Sequence, residues 1–256
     1  MTAAAAAPAR IVAEPDGRGG TALPVLAGAG PLAPRRTTGA APGAHVVIVG
    51  SMAAPLGGDR LALAVEVAPG AALTVTGAAA TLSLPGRPGT GPASYEVELT
   101  VGEGGRLDWL PEPVIAAAGS HLLLRTRITL AAGARLHYRE EQVLGRHHDW
   151  VRLVPPGRIT SRLTVRRAGR TLLDQQTDLG AGAPGWDGPA VLGGHRATGQ
   201  LLTVGCPPPA APAGGDAVLL ALPGPDTALL TAAAPDALAL RKVLRPGQGL
   251  TGLDGT

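Results

Sequence analysis

The sequence contains little of the chemistry on which many enzymes and nucleic-acid-binding proteins depend. Its 256 residues include no phenylalanine, one cysteine, three tryptophans and two tyrosines. A single cysteine excludes an intrachain disulfide, which is typical of a reducing compartment. The 22 arginine and lysine residues are scattered in runs no longer than two. Because few aromatic side chains are present to stack on bases, we do not expect a nucleic-acid-binding protein.

Motifs for catalysis and targeting are also missing. The chain has no GxxxxGK[ST] loop and no GxSxG turn, which argues against a nucleotide hydrolase and a serine hydrolase. Cys206 is followed by three prolines and is interpreted as an inert thiol. The N-terminus, MTAAAAAPAR, lacks the basic and apolar regions of a signal peptide, and no run reaches about 18 apolar residues. We therefore expect a cytoplasmic protein without a membrane segment.

The residues that are present indicate a folded chain with many turns. Glycine (38) and proline (25) are abundant, but 45% of the residues are hydrophobic and follow a pattern. Residues 1–44 are expected to be a flexible or partly ordered segment with a short strand near Arg10–Ala13. Residues 45–256 are expected to form a single β-rich domain, which begins with a buried strand at His45–Gly50.

Four segments of the chain resemble one another. Each alternates apolar and polar residues, crosses a glycine and resumes with an apolar residue, which predicts a strand, a tight turn with positive φ and another strand. They are residues 65–73, 99–107, 128–136 and 163–172, with glycines at 70, 104, 133 and 169. The recurrence predicts a mainly β fold, with a β-helical or layered-sheet body of stacked strand–turn–strand units. Four ordinary hairpins of a sandwich are the alternative.

A small helical element is predicted near the C-terminus, at residues 235–245. Asp236 is suited to cap this helix, and Arg241 and Lys242 fall near its C-terminal end, where the helix dipole favours positive charge. Pro246 and Gly247 are expected to end it.

Few polar residues are grouped in a way that indicates chemistry. Glu140 and Glu141 are adjacent, so they point to opposite faces of a strand and do not form a pair. Asp108 and Glu112 flank a Trp-Leu-Pro turn, where they either converge, as in a glycosidase, or are solvated turn charges. The residues 147–149 (HHD) are the densest set of metal ligands and suit nickel or zinc, with an exposed polar loop as the alternative.

Several segments, taken in order, resemble the UreD family of urease accessory proteins, also called UreH. They are residues 56–63 (LGGDRLAL), 107–115 (LDWLPEPVI), 141–146 (EQVLGR) and 240–244 (LRKVL). The chain resembles a divergent member, because residues 80–83 (ATLS) occupy the place of a basic and aromatic cluster in the family.

This resemblance implies a β-helical body, a small helical C-terminal part and no enzymatic activity. It implies binding to UreF, which recruits the GTPase UreG, and docking of this assembly on apo-urease. Nickel is implied as a cargo in transit, with no cofactor bound stably. The resemblance gives as candidates for the nickel path Asp59, Glu112, His147, His148 and Asp149. It gives as candidates for partner contact Gly57, Gly58, Leu82, Leu240, Arg241 and Leu244.

Two other functions fit parts of the sequence. One is a β-solenoid hydrolase acting on polysaccharide with Asp108, Glu112 or Glu140, for which aromatic sugar platforms and a signal peptide would be expected. The other is a purely structural β binding module without a role in metal delivery.

Overall fold

The fold of a computed structural model is mainly β, as the sequence predicts. The structure describes residues 7–39, 43–212 and 216–245. The strands within these ranges are β1 (Ala9–Pro15), β2 (Thr21–Ala27), β3 (Leu32–Thr37), β4 (Ala44–Gly50), β5 (Arg60–Val67), β6 (Ala72–Gly77), β7 (Thr81–Ser83), β8 (Ala93–Val101), β9 (Arg106–Leu110), β10 (Val114–Ala116), β11 (His121–Leu130), β12 (Arg135–Leu144), β13 (Arg158–Arg167), β14 (Arg170–Gly180), β15 (Ala197–Val204), β16 (Ala217–Ala221) and β17 (Thr227–Ala234). The two short helices are α1 (His147–Val151) and α2 (Ala237–Val243). Neither described helix is long and apolar enough to cross a membrane.

Seven strands form the first sheet, which we call sheet A, in the order β14-β13-β11-β8-β5-β1-β2. The five central strands are parallel, and an antiparallel strand lies at each edge. In β5, the buried residues Leu61, Leu63 and Val65 alternate with more exposed ones. This period of two directs one face of the sheet to the core and leaves the other to solvent.

The second sheet, sheet B, is also mixed. Its main order is β16-β17-β15-β12-β9-β6-β4-β3, and the short strands β10 and β7 continue from the end of β12. β4, β6, β9 and β12 are parallel to one another, whereas β3, β15, β17 and β16 pair in antiparallel fashion.

From β4 to β13 the chain alternates between the two sheets. The first three repeated segments connect a strand of sheet A to a strand of sheet B: β5 to β6, β8 to β9 and β11 to β12. Only the fourth is a hairpin, joining β13 to β14 within sheet A. The alternative of four hairpins is therefore wrong for the first three segments, because a turn of similar local geometry can lead to either sheet.

The glycines of these segments do not all have the same role. Gly70, Gly104 and Gly169 have φ values of 74°, 65° and 78°, in agreement with the predicted turns. Gly133 does not have a positive φ, so this part of the prediction is wrong. A Cβ at Gly133 would meet only the carboxylate end of the exposed Glu103 side chain, which is free to move, so neither space nor backbone conformation requires glycine here.

The sheets pack face to face around one hydrophobic core. Trp109 and Tyr138 are among its largest side chains, with 4% and 1% of their surface exposed. A smaller cluster lies on the outer face of sheet B, where α2 packs against β15 and β17 through Leu240 and Leu244.

Several elements lie where the sequence places them. The strand predicted near Arg10–Ala13 is part of β1, which pairs with β5, and the one at His45–Gly50 is in β4. The C-terminal helix is confirmed as α2, in which the Asp236 carboxylate accepts a 2.8 Å hydrogen bond from the Ala239 amide. Pro246 and Gly247, expected to end it, lie outside the described residues.

Candidate functional site

The segment Leu107–Ile115 interrupts the ladder of sheet B. β9 ends at Leu110 and β10 begins at Val114. The residues between them include two prolines, which cannot donate a ladder hydrogen bond. β12 pairs with β9 before this point and with β10 after it, so residues 139–141 have no ladder partner on this side among the described strands. We call residues 111–113 and 139–141 the sheet break.

Arg139 partly replaces the missing ladder bonds. Its Nη2 donates to the carbonyl oxygens of Leu110 and Pro111, at 3.4 and 3.3 Å. Burial lowers the pKa of this guanidinium, while the nearby Glu141 carboxylate favours its charged form. The side chain thus supplies hydrogen bonds to carbonyl groups at the point where the prolines separate the two strands.

A cavity of about 400 Å³ lies at the sheet break. On the core side it is lined by Tyr138 and Glu140, among others, and on the other side by Glu112, Arg139 and Glu141. Successive residues of β12, whose side chains point to opposite faces of sheet B, lie along this one cavity. The sheet break therefore brings carboxylate-bearing residues of both faces to the cavity.

Glu140 is the buried carboxylate on the core side. It accepts hydrogen bonds from the Tyr138 hydroxyl at 2.5 Å, the Gln142 amide at 2.6 Å and the Ser161 hydroxyl at 2.9 Å. Burial, together with the charge of Glu140, raises the pKa of Tyr138, so its hydroxyl remains a donor. These three donors are neutral, and among the described residues no arginine, lysine or histidine forms an ion pair with Glu140.

On the outer side, Glu112 and Glu141 both bind Arg241 of α2. The Arg241 guanidinium donates to Glu141 at 2.6, 2.7 and 3.0 Å and to Glu112 at 3.1 Å through two nitrogens. Arg139 Nε also lies 3.2 Å from a Glu141 oxygen. Burial opposes the charge of Arg241, but the hydrogen bonds to Glu141 and Glu112 raise its pKa above the usual range. We call these two glutamates and two arginines the Arg241 cluster.

A second polar group lies on the outer face of sheet B. The Asp108 carboxylate is 2.7 Å from His137 Nδ1 and accepts a 3.0 Å hydrogen bond from Arg106. Burial alone would lower the pKa of His137, but the interactions with Asp108 and the Cys206 thiol raise it to about 9. Cys206 is buried and follows β15, the strand that pairs with β12, which carries His137. The sequence did not reveal this proximity because the two residues are far apart along the chain.

Of the predicted residues in segment 57–83, Gly57, Gly58 and Asp59 lie in the turn before β5, and Leu82 lies in β7, which pairs with β10. Asp59 accepts a 2.8 Å hydrogen bond from the Leu56 amide and so stabilises the turn before β5. A Cβ on Gly57 would lie 2.7 Å from the Gly86 nitrogen, and Gly58 has a φ of 91°, so the geometry of this turn limits both positions. Leu82 lines the cavity directly.

The residues His147, His148 and Asp149 belong to α1. Both histidines are exposed, whereas Asp149 is buried and binds the Arg146 side chain at 2.7 and 3.1 Å. It also accepts hydrogen bonds from the amides of Arg146 and Ala118, and these interactions hold the pKa of Asp149 well below its usual range. The structure therefore uses Asp149 to cap a short helix and does not bring it together with Asp59 or Glu112.

Leu240 and Leu244 were predicted to contact a partner, but neither has any exposed surface here. Both anchor α2 to sheet B, because the helix buries its apolar side against β15 and β17. The residues that α2 exposes are Leu238, Lys242 and Val243.

The described residues contain no group of three or more His, Cys, Asp or Glu side chains arranged to hold a metal ion. The carboxylates weighed for hydrolysis are held apart, since Asp108 lies on the outer face of sheet B and Glu140 on its core side. The described residues therefore form a β-sheet scaffold with a charged cavity, an arrangement that suits an accessory or binding protein.

Comparison with known proteins shows to which family the chain belongs. The family model for the UreD urease accessory protein matches residues 5–248. Urease accessory protein UreD 3 of Streptomyces griseus is 57% identical over 246 residues, or 93% of each chain. UreD of Streptomyces avermitilis is 55% identical over 250 residues, covering 95% of this chain and 97% of the relative. UreD 2 of Saccharopolyspora erythraea is 49% identical over 236 residues, covering 88% and 81%.

The chain belongs to the UreD family of urease accessory proteins, as its sequence motifs predict. Its function is in the nickel-dependent maturation of urease. Accessory proteins of the UreD family are non-catalytic. The alternative of a polysaccharide hydrolase is therefore wrong. Family membership also implies partners in urease maturation.

Proposed function

We propose that this chain is the scaffold on which nickel is delivered to urease. It binds UreF and UreG homologues and apo-urease in the cytoplasm, and nickel passes through it in transit. Membership of the UreD family supports this proposal, together with the non-catalytic character of that family.

The observation that carries the proposal is the cavity at the sheet break. Its lining includes carboxylates on both sides of sheet B, with Glu140 on the core side and Glu112 and Glu141 on the outer side. Carboxylate oxygens are ligands for divalent transition metals. We infer that nickel moves between these carboxylates, without a fixed site that would retain it.

The other residues predicted for the nickel path do not line this cavity, and each has different surroundings. Asp59 lies in the turn between Ala54 and Leu61, both of which line the cavity, and so remains a candidate for its second end. The exposed His147 and His148 are candidates for an entry point on the surface. Asp149 is engaged with Arg146 and would have to exchange this partner to bind a metal.

Partner contact is proposed for two surfaces. One is the exposed side of α2, where Leu238 and Lys242 flank Arg241 in the helix. The other is the turn at Gly57 and Gly58, together with Leu82. The chain alternates between parallel strands of two sheets, and we infer that its body is a short β-helix holding these surfaces and the cavity in fixed positions.

Co-expression tests the proposal. The chain, a UreF homologue and a UreG homologue should co-purify as one complex, and this complex should bind apo-urease. Urease produced in a host that lacks only this chain should contain little nickel, and the chain supplied on a plasmid should restore it. If no complex forms and urease is fully loaded with nickel without the chain, the proposal fails. A purely structural β module would bind the partners but leave nickel loading unchanged.

A further inference from the structure

The edge strand β16 differs from the other strands that end the two sheets. Sheet A ends in β14 and β2, and the main order of sheet B ends in β16 and β3. β2 and β3 each contain a proline, and β3 and β14 carry charged residues. Such residues protect an edge from pairing with another chain. Of these four described strands, only β16, with the sequence AVLLA, has neither a charge nor a proline.

The backbone of β16 presents hydrogen-bonding groups along its open side. The Ala233 amide donates to the Asp216 carbonyl oxygen at 2.8 Å, where β16 begins to pair with β17. At the other end of the pair, the Leu222 amide donates to the Thr227 carbonyl oxygen at 3.0 Å. Because hydrogen bonds alternate between the two sides of a strand, the even-numbered residues face β17. The residues whose amide and carbonyl groups point to the open side are Ala217, Leu219 and Ala221.

Two apolar side chains of β16 are exposed beside this open edge. Val218 and Leu220 are 53% and 46% exposed, and they lie on the same face of the strand because they are two residues apart. Leu219 points to the other face, where it packs against the cluster that holds α2. The edge therefore combines backbone groups with apolar side chains, and this combination suits the addition of another strand.

The strand that complements this edge is a second copy of β16. When two copies pair in antiparallel fashion about a two-fold axis at Leu219, this residue faces itself and Ala217 faces Ala221 of the second copy. These are the hydrogen-bonded pairs, so every amide and carbonyl on the open side of both strands finds a partner. Between them, Val218 faces Leu220 of the second copy, at positions where side chains approach closely. The nearly palindromic sequence AVLLA thus makes the edge complementary to itself.

We propose that two copies of this chain associate through β16, so that sheet B continues across a two-fold axis at Leu219. The inference goes beyond the proposed function, because the association needs neither nickel nor another protein. The strand contributes only five residues from each copy, and interfaces below about 1,200 Å² are typical of weak complexes. We therefore expect monomer and dimer in equilibrium, with a dissociation constant on the order of 10 µM.

Sedimentation equilibrium of the purified full chain tests the association. The average mass should rise from 25.5 kDa toward twice that value as the concentration passes about 10 µM. Val218→Lys should weaken the dimer by about tenfold or more, because the ammonium group would lose water against Leu220 of the second copy. Thr177→Lys is the matched control, since it adds the same charge at an exposed position of the edge strand β14, and it should dimerise like the unmodified chain. A mass of 25.5 kDa at all concentrations, or equal dimerisation of the two variants, overturns the proposal.

Disulfide cross-linking tests the register without adding a charge, and the buried Cys206 is kept in every variant. Leu219→Cys should cross-link to itself under mild oxidation, because the Cα atoms of a hydrogen-bonded pair lie about 5.5 Å apart. Ala217→Cys alone should not, because the same residue of the second copy is displaced by four residues, or about 13 Å along the strand. A mixture of Ala217→Cys and Ala221→Cys should form the mixed disulfide.

The cross-linking pattern also decides between this contact and others. Equal cross-linking of Leu219→Cys and Ala217→Cys, or none with either, contradicts two-fold pairing through β16 and overturns the proposal. A monomeric chain whose binding to a UreF homologue is weakened by Val218→Lys would assign the edge to that partner and would overturn the proposal as well.

Discussion

Adjacent residues of β12 have different surroundings because their side chains point to opposite faces of sheet B. Glu140 binds neutral donors in the core, whereas Glu141 binds Arg241 on the outer face. The prediction that these carboxylates point to opposite faces is confirmed, since it depends only on the period of a strand. Their partners were not predictable, because Arg241 lies 100 residues from Glu141 and 129 from Glu112.

The pairing of His137 with Asp108 should make stability depend on pH. The pKa of His137 is raised to about 9 in the folded chain, above its ordinary value of 6.5. Protonation of His137 therefore stabilises the fold fully below about pH 6.5, and this contribution is lost as the pH rises through about 9. Its size is on the order of 2–3 kcal/mol.

Asp108→Asn should remove most of this dependence, because the amide cannot pair with a charged imidazole. The free energy of unfolding in urea, measured at pH 6.5 and 9.5, checks the expectation. Asp174→Asn is a suitable control, since Asp174 pairs with Arg162 on the exposed face of sheet A. If the free energy of unfolding falls by the same amount between pH 6.5 and 9.5 in Asp108→Asn and in the unmodified chain, the pairing of His137 with Asp108 is not the source of the pH dependence.

The elements that local sequence specifies were predicted best. α2 was predicted from its cap and end, and the turns at Gly70 and Gly104 were predicted from the alternating pattern around them. The sheet to which each turn leads was not predictable, because a connection between sheets and a hairpin share the same local signal. The short helix α1 was missed because Asp149 stabilises it through Arg146 and a distant amide at Ala118.

The docking of α2 should depend on a glycine in β15. An added Cβ at Gly199 would lie 2.5 Å from the Glu140 carbonyl oxygen and 2.8 Å from Leu244 Cδ1. Gly199→Ala is therefore expected to displace α2 and to cost about 1–3 kcal/mol of stability. Urea unfolding and proteolysis of the C-terminal segment measure the two effects.

The control for this substitution is Gly50→Ala at the end of β4. Gly50 has no atom within 4 Å of an added Cβ and no positive φ, so the change should be nearly neutral. If Gly199→Ala were as stable as Gly50→Ala, the close approach of α2 to β15 would be disproved.

At the scale of the whole molecule, the candidate site depends on the alternation of the chain between two sheets. This alternation places parallel strands of successive turns side by side, so that two prolines in one connection open a gap in the sheet. The family motif at Leu107–Ile115 contains those prolines, so this segment sets the position of the sheet break. The division of the chain at residue 44 stays a prediction, although β1 and β3 pair with strands of the larger part.

The most direct test of nickel passage through the sheet break is the nickel content of urease matured with Glu140→Gln. Glutamine keeps the size of the side chain but removes the charge that nickel would meet inside the cavity. Glu98→Gln is the matched control, because Glu98 is exposed on sheet A and pairs with Arg127. With equal amounts of each chain present, nickel per urease active site should fall several-fold with Glu140→Gln and remain normal with Glu98→Gln. Normal nickel loading with Glu140→Gln would contradict the proposed path.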